Sequence, residues 1–214
     1  MPPLYEKYRP SCFDDVIGQE RAVKALSMLR RSGFGGRALW ISGPSGTGKT
    51  TLGRLVSAEV ADNWGTIEID ATGLTVAELE KIERRIAGRV LGKGGWGVMV
   101  NEAHALTTAV IRRLLVMLER IPAHVVWIFT TTVDGQAELF DKQDDSAPLL
   151  SRCNVIPLAQ RGLCEAIAQR TMEIARAEGL DGKPLSAYVR LTKDNRNNMR
   201  ANLSQVEAGC MMAD

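Results

Sequence analysis

The sequence predicts an α/β fold in which a five-stranded parallel sheet, with helices on both faces, is followed by a small bundle of three helices. Strand and helix patterns alternate from residue 38 to residue 157, and no strand pattern occurs after that point. A glycine-rich segment also separates the first strand from the helix that follows it. We therefore expect two domains, residues 1–157 and residues 158–214, each large enough to have a core.

Strands are predicted where short apolar runs lie between turn residues. These runs cover residues 38–42, 65–70, 97–101, 124–130 and 154–157. The fourth run is apolar almost throughout, which is typical of a parallel strand that is buried on both faces.

Helices are predicted where apolar residues recur at a spacing of three and four. In the sheet domain they cover residues 19–31, 51–60, 75–90 and 106–120, and after it residues 162–178, 185–192 and 200–211. Thr75 and Glu78 form a capping-box pattern at the start of one of them. Residues 4–18 are predicted to be extended and rich in turns, and an acid-rich loop is expected between Val133 and Pro148.

Composition narrows the classes of protein that fit. A net charge of +2 is too small by itself to indicate nucleic-acid binding. No run of about 18 apolar residues occurs, and the first residues lack the apolar core of a secretory signal, so a cytoplasmic protein without a membrane span is expected. The four cysteines and two histidines are not spaced as zinc ligands, and we interpret the cysteines as reduced thiols.

Residues 43–50 match the phosphate-loop pattern G-x-x-x-x-G-K-[ST] at every fixed position. The segment follows an apolar strand and precedes a helix, so its backbone N–H groups and the helix N-terminus would face phosphate oxygens. Lys49 is expected to reach the β- and γ-phosphates of ATP, and the Thr50 hydroxyl to bind Mg²⁺. The predicted loop residues are Gly43, Pro44, Ser45, Gly46, Thr47, Gly48, Lys49, Thr50 and Thr51.

Two polar residues end the third predicted strand. Glu102 is placed to orient or polarise the water that attacks ATP. Asn101 stands where an aspartate is usual, and its carbonyl oxygen can accept a hydrogen bond from the water shell of Mg²⁺ but brings no charge. We therefore expect a metal that is held less firmly and a hydrolysis that is slow.

Several segments together resemble the clamp-loader ATPases, a family of AAA+ proteins of the bacterial DNA polymerase III gamma/tau and replication factor C type. LYEKYRP at residues 4–10 and FDDVIGQE at residues 13–20 are similar to the opening of that family. IEIDA at residues 67–71 is similar to its second strand, and SRC at residues 151–153 matches its S-R-C motif. The resemblance implies an AAA+ module, which consists of an α/β ATPase domain and a helical lid.

The resemblance also implies roles for matched positions. Thr132 would be sensor 1 at the γ-phosphate, Arg152 the arginine finger that reaches the ATP of a neighbouring subunit, and Arg200 sensor 2 in the lid. The residues that would line the adenine pocket are Tyr8, Arg9, Val16 and Ile17. A guanidinium suits the two arginine roles because it is permanently charged and forked.

The partners implied are the chain itself or related AAA+ subunits, with DNA and a sliding clamp as further candidates. The family's helical collar domain has no counterpart within the 214 residues, which weakens the expectation of a clamp. The DNA candidates are Arg84, Arg85, Arg89, Arg112 and Arg113, which we interpret first as solvated helix faces.

Two alternatives to an ATPase of clamp-loader type stay open. One is a nucleotide-gated scaffold subunit in which Asn101 marks weak or lost hydrolysis. The other is a different AAA+ DNA motor, such as a branch-migration helicase.

Overall fold

The computed structural model describes residues 2–133, 135–137, 146–159 and 161–213. Its strands are β1 Arg37–Ser42, β2 Thr66–Asp70, β3 Trp96–Asn101, β4 Val125–Thr131 and β5 Asn154–Pro157. Its helices are α1 Leu4–Lys7, α2 Glu20–Arg31, α3 Lys49–Val60, α4 Val76–Ile86, α5 Thr108–Leu118, α6 Ser146–Ser151, α7 Cys164–Ala177, α8 Leu185–Asp194 and α9 Met199–Glu207. Most of the acid-rich loop predicted between Val133 and Pro148 lies outside the described residues.

All strand pairings are parallel, and the sheet order is β2–β3–β4–β1–β5. The predicted five-stranded parallel sheet is therefore confirmed, and so are the three helices that follow it. Because parallel strands end at the same edge of a sheet, the segments after β1, β3 and β4 leave from one side. Those segments carry the phosphate loop, Glu102 and Thr132, and Asn101 is the last residue of β3.

The contacts divide the chain into two compact units. The first, the sheet unit, comprises Lys24–Gly43 and Lys49–Pro157. The second, the helical unit, comprises Met1–Val23, Pro44–Gly48 and Leu158–Asp214.

Aromatic residues form the centre of the sheet unit. Trp40 of β1 is paired in register with Phe129 of β4, and their ring centroids are 5.7 Å apart. Trp127 stacks on Phe129 at 6.0 Å. Every residue of β4 is buried, which confirms that the run is covered on both faces, as the sequence predicts.

The core of the helical unit combines apolar and polar side chains. Leu4 of α1 packs into the same cluster as Tyr188 and Leu203. The buried Asn202 amide nitrogen donates to Thr192 Oγ1 at 2.8 Å, and its oxygen accepts from Asn195 Nδ2 at 2.9 Å. Paired polar groups of this kind restrict the ways in which α8 and α9 can pack.

The chain departs from the sequence-based prediction at its N-terminal segment. Residues 4–18, predicted to be extended, include the short helix α1 and a 3₁₀ turn at Phe13–Asp15. Four residues do not form a stable helix in isolation, so α1 depends on the burial of Leu4. No helix of the described part of the chain is long and apolar enough to cross a bilayer.

Candidate functional site: a phosphate loop and the ends of three strands

The phosphate loop connects the end of β1 to the first turn of α3, which begins at Lys49. Gly46 and Gly48 have φ values of 76° and 98°, a conformation that side chains rarely adopt. Thr47 Oγ1 donates to the Pro44 carbonyl at 2.8 Å and stabilises the turn from within. Residues of the loop itself thus contribute to its conformation.

Lys49 is only 8% exposed although it carries a charge. Its ammonium donates to the Gly43 carbonyl at 2.9 Å. A phosphate oxygen would be a stronger partner for the same group, because hydrogen bonds between charged groups are shorter and stronger than those to neutral carbonyls. The Lys49 cation and the N-terminus of α3, with Thr50 in its first turn, together fit a nucleotide phosphate.

Within the helical unit, the start of α9 lies against the loop. A Cβ atom built on Gly46 would be 2.0 Å from Oδ1 of Asn198, so only glycine fits there. Asn198 is the N-cap of α9 and accepts a hydrogen bond from the Ala201 N–H at 3.1 Å. The sequence analysis did not predict this contact between Asn198 and the loop.

Glu102 has left-handed backbone angles, with φ 52° and ψ 46°, directly after β3. This conformation is uncommon for residues other than glycine and is concentrated at functional sites. The glutamate side chain is 50% exposed, and its Oε2 lies 3.4 Å from His104 Nδ1. His104 Nδ1 in turn lies 3.2 Å from Thr131 Oγ1 at the end of β4. The carboxylate is therefore accessible to a ligand and oriented by its neighbours.

Asn101 is hydrogen-bonded on both sides of its amide. Its nitrogen donates to Glu68 Oε1 at 2.8 Å, and its oxygen accepts from Thr130 Oγ1 at 2.9 Å. Among the residues that the structure describes, no three His, Cys, Asp or Glu side chains gather into a metal centre. Mg²⁺ keeps several waters and takes few protein ligands beside phosphate oxygens, and the Thr50 hydroxyl and the Asn101 carbonyl stay the predicted ligands.

Thr132, the predicted sensor 1, follows the last residue of β4. Its Oγ1 accepts a hydrogen bond from the Gly135 N–H at 3.1 Å. The two preceding threonines make the contacts with the strand-end residues: Thr130 with Asn101 and Thr131 with His104. The role of Thr132 stays a prediction.

Arg152 lies just after α6, and its guanidinium is held within the sheet unit. It donates to Glu119 Oε1 at 2.8 Å and to the Pro148 carbonyl at 3.0 Å. The arginine side chain is 32% exposed and the glutamate 58%, so the pair is at the surface. Burial raises the pKa of the neighbouring Cys153 thiol to about 12, which makes it a neutral packing residue at neutral pH.

The predicted lid and adenine residues all belong to the helical unit. The Arg200 guanidinium lies over the Tyr5 ring, 5.6 Å from its centroid. Tyr8 donates a hydrogen bond to Glu178, and Arg9 pairs with Glu6. Val16 is half-buried and Ile17 is 38% exposed, and their role in an adenine pocket stays a prediction.

The sequence analysis did not predict Glu68 and Thr130, which contact Asn101, or His104, which contacts Glu102. It also did not predict Arg54, which pairs with Glu68. Thr130 and His104 carried a signal, because polar residues at the ends of buried strands meet at one edge of the sheet. Arg54 and Glu68 carried none, because charged residues of that kind are ordinarily solvated on a helix and an edge strand.

The fold and the loop define a nucleotide-binding domain of the P-loop AAA+ class. The family model described as the TIP49 P-loop domain matches residues 6–120, more than half of the chain, and the chain belongs to this family.

The curated relatives confirm the resemblance to clamp-loader ATPases. The DNA polymerase III subunit gamma/tau of Mycobacterium bovis is 32% identical over 154 residues, which cover 60% of this chain and 27% of that protein. The tau/gamma subunit of Haemophilus influenzae is 28% identical over 235 aligned positions, which cover 99% of this chain and 33% of that protein. The chain thus spans about a third or less of the length of these relatives.

Solved structures share the fold. The RuvB Holliday junction branch migration motor of Thermotoga maritima has a TM-score of 0.70 at 20% identity, and the match covers 94% of this chain and 64% of that one. A mutant of the same protein has a TM-score of 0.73 at 20% identity and covers 94% and 65%. Identities this low establish the fold and nothing about what the chain acts on.

Proposed function

We propose that the chain binds ATP with Mg²⁺ and hydrolyses it as one subunit of an AAA+ assembly of clamp-loader type that acts in DNA replication or repair. The observation that carries the proposal is the buried Lys49 ammonium at the N-terminus of α3, inside a loop with two left-handed glycines. Relatives named DNA polymerase III subunit gamma/tau support the choice of process.

In this proposal the loop and Lys49 bind the phosphates, and Thr50 with Asn101 holds Mg²⁺ and its water. The metal, when bound, neutralises charge that develops on the phosphate oxygens. Glu102 orients the attacking water, and the contact between His104 and Thr131 helps to fix its direction. Tyr8, Arg9, Val16 and Ile17 form the adenine pocket, while Thr132 and Arg200 respond to the γ-phosphate.

Arg152 acts on the ATP of a neighbouring subunit. In the single chain it pairs with Glu119 at the surface, where an ion pair contributes about 0–1 kcal/mol. Exchanging Glu119 for a phosphate therefore costs little and gains a partner of higher charge. Related AAA+ subunits are accordingly the first partners that we propose, with DNA and a sliding clamp as the further ones.

A second candidate function is a scaffold subunit that binds ATP without turning it over. Asn101 favours it, because the residue that faces the metal brings no negative charge. The two candidates differ only in hydrolysis, since both need the phosphate loop.

Steady-state ATPase activity of the full chain separates these candidates. We expect measurable turnover, and a loss of about 10²-fold in Glu102→Gln because the water loses its orienting carboxylate. Glu80→Gln, a change at an exposed position of α4, is the matched control and should keep full turnover. Binding of Mg·ATP without turnover at any protein concentration would favour the scaffold, and full turnover in Glu102→Gln would remove the role of Glu102.

A further inference from the structure

Asn101 is held in one orientation by the chemistry of its two partners. A carboxylate can only accept hydrogen bonds, so Glu68 must face the amide nitrogen of Asn101, 2.8 Å away. The amide oxygen then faces the Thr130 hydroxyl at 2.9 Å. An amide oxygen accepts two hydrogen bonds, and Thr130 supplies one of them.

Glu68 is itself held by an arginine from another element. Arg54 of α3 donates from Nε to Glu68 Oε2 at 3.0 Å and from Nη2 to Oε1 at 3.3 Å. This forked geometry fixes both carboxylate oxygens. A chain of contacts therefore crosses α3, β2, β3 and β4, and Arg54 lies on the same helix that begins with Lys49.

We propose that Glu68 is a positioning residue that requires an amide at position 101, so that the negative charge usual at the end of β3 lies instead on the neighbouring strand β2. An aspartate at 101 would set two carboxylates about 2.8 Å apart, where like charges repel and neither can donate. Asparagine removes the repulsion, donates to Glu68 and keeps a carbonyl oxygen for the metal's water shell. The pairing of Glu68 with Asn101 is inferred from the hydrogen bonds alone. The expected effect on Mg²⁺ binding rests on the proposed function.

The central prediction is that Asn101→Asp destabilises the chain and that Glu68→Gln restores it. In the double variant the new amide on β2 donates to the new carboxylate on β3, so the acid and the amide exchange places. Thermal unfolding of the full chain without nucleotide should give a Tm about 2–4 °C lower for Asn101→Asp and close to wild type for the pair. Asn101→Asp combined with Glu80→Gln is the matched control, and its Tm should stay as low as that of Asn101→Asp alone.

The second readout is the Mg²⁺ dependence of binding to a fluorescent ATP analogue, which responds to the charge at position 101 and not to the stability of the fold. We expect the exchanged pair to reach half-maximal binding at a lower Mg²⁺ concentration than wild type, because the carboxylate then lies on β3.

Two results would overturn the proposal: a Tm for Asn101→Asp equal to wild type, or a low Tm that Glu68→Gln fails to raise. If the exchanged pair needs the same Mg²⁺ concentration as wild type for half-maximal binding, the part of the proposal that concerns Mg²⁺ is wrong. If the chain binds no nucleotide, the proposed function is wrong. The Tm comparison is made without nucleotide, so it would still test whether Glu68 pairs with residue 101.

Discussion

Residues with left-handed backbone angles occur in the candidate site. Glu102 at φ 52° and Gly46 at φ 76° both lie where the chain leaves a strand end or passes the phosphate loop. A left-handed residue other than glycine costs roughly 1–2 kcal/mol, so the position of Glu102 must be stabilised by its surroundings. The bond from the Ala105 N–H to the Glu102 carbonyl at 2.9 Å is one such contact.

The close approach of Asn198 to Gly46 predicts that Gly46→Ala destabilises the chain more than other Gly→Ala substitutions at positive φ. Two effects should destabilise Gly46→Ala: the positive φ at this position, and a Cβ only 2.0 Å from Asn198 Oδ1. Gly33→Ala is the matched control, because its φ is 82° but no atom lies within 4 Å of the new Cβ. In chemical unfolding, we expect the free energy of unfolding to fall by about 1 kcal/mol for the control and by clearly more for Gly46→Ala. Equal losses would mean that Asn198 does not press on the loop.

Among the elements, α1 is the one that tertiary contacts create. Lys7 Nζ donates to Glu178 Oε1 at 2.7 Å, and Tyr8 donates to the same carboxylate at the end of α7. These hydrogen bonds, that of Lys7 first, hold the pKa of Glu178 below its ordinary value of 4.5. A carboxyl whose pKa is lowered on folding stabilises the folded chain above its unfolded pKa and loses that effect as the pH falls.

The tie between α1 and α7 should therefore depend on pH. Glu178→Gln is expected to lower the Tm at about pH 7, and the difference from wild type should shrink below about pH 4.5 as the wild-type carboxylate is protonated. Glu165→Gln, at an exposed position in the first turn of α7, is the control. A difference that persists unchanged at about pH 3 would show that charge at Glu178 is not the cause.

Elements with strong patterns could be predicted from the sequence, and those that depend on distant partners could not. The apolar run that begins β4 and the strand–loop–helix around Lys49 carried their own signals. By contrast, α1 forms because Leu4 is buried against residues near the far end of the chain. In the site, Lys49, Asn101 and Glu102 followed from the motif and the strand end. Glu68 did not, because its contact with Asn101 depends on how neighbouring strands pair.

At the scale of the whole molecule, the proposed function requires a second subunit. Arg152 has its own surface partner, Glu119, and would contribute to hydrolysis only when it reaches another subunit's ATP. An arginine finger accelerates phosphoryl transfer by about 10³–10⁵-fold in related systems. Isolated chains should then bind ATP and hydrolyse it poorly.

The concentration dependence of ATPase activity checks this requirement. Specific activity should rise with protein concentration in wild type and stay flat in Arg152→Ala, while both bind ATP equally. Arg190→Ala, at an exposed position of α8, is the matched control and should behave as wild type. A specific activity that does not change with protein concentration, and that is the same in Arg152→Ala, would contradict a role for Arg152 between subunits.

The claim that the phosphate loop binds ATP through Lys49 is tested most directly by thermal unfolding with and without Mg·ATP. A ligand that binds only the folded chain stabilises it by about 2.7 kcal/mol at a hundred times its Kd, so the wild-type Tm should rise by several degrees. Lys49→Ala should lose this rise, measured against its own Tm without nucleotide, whereas Lys81→Ala on α4 should keep it. An undiminished rise in Lys49→Ala would contradict the account.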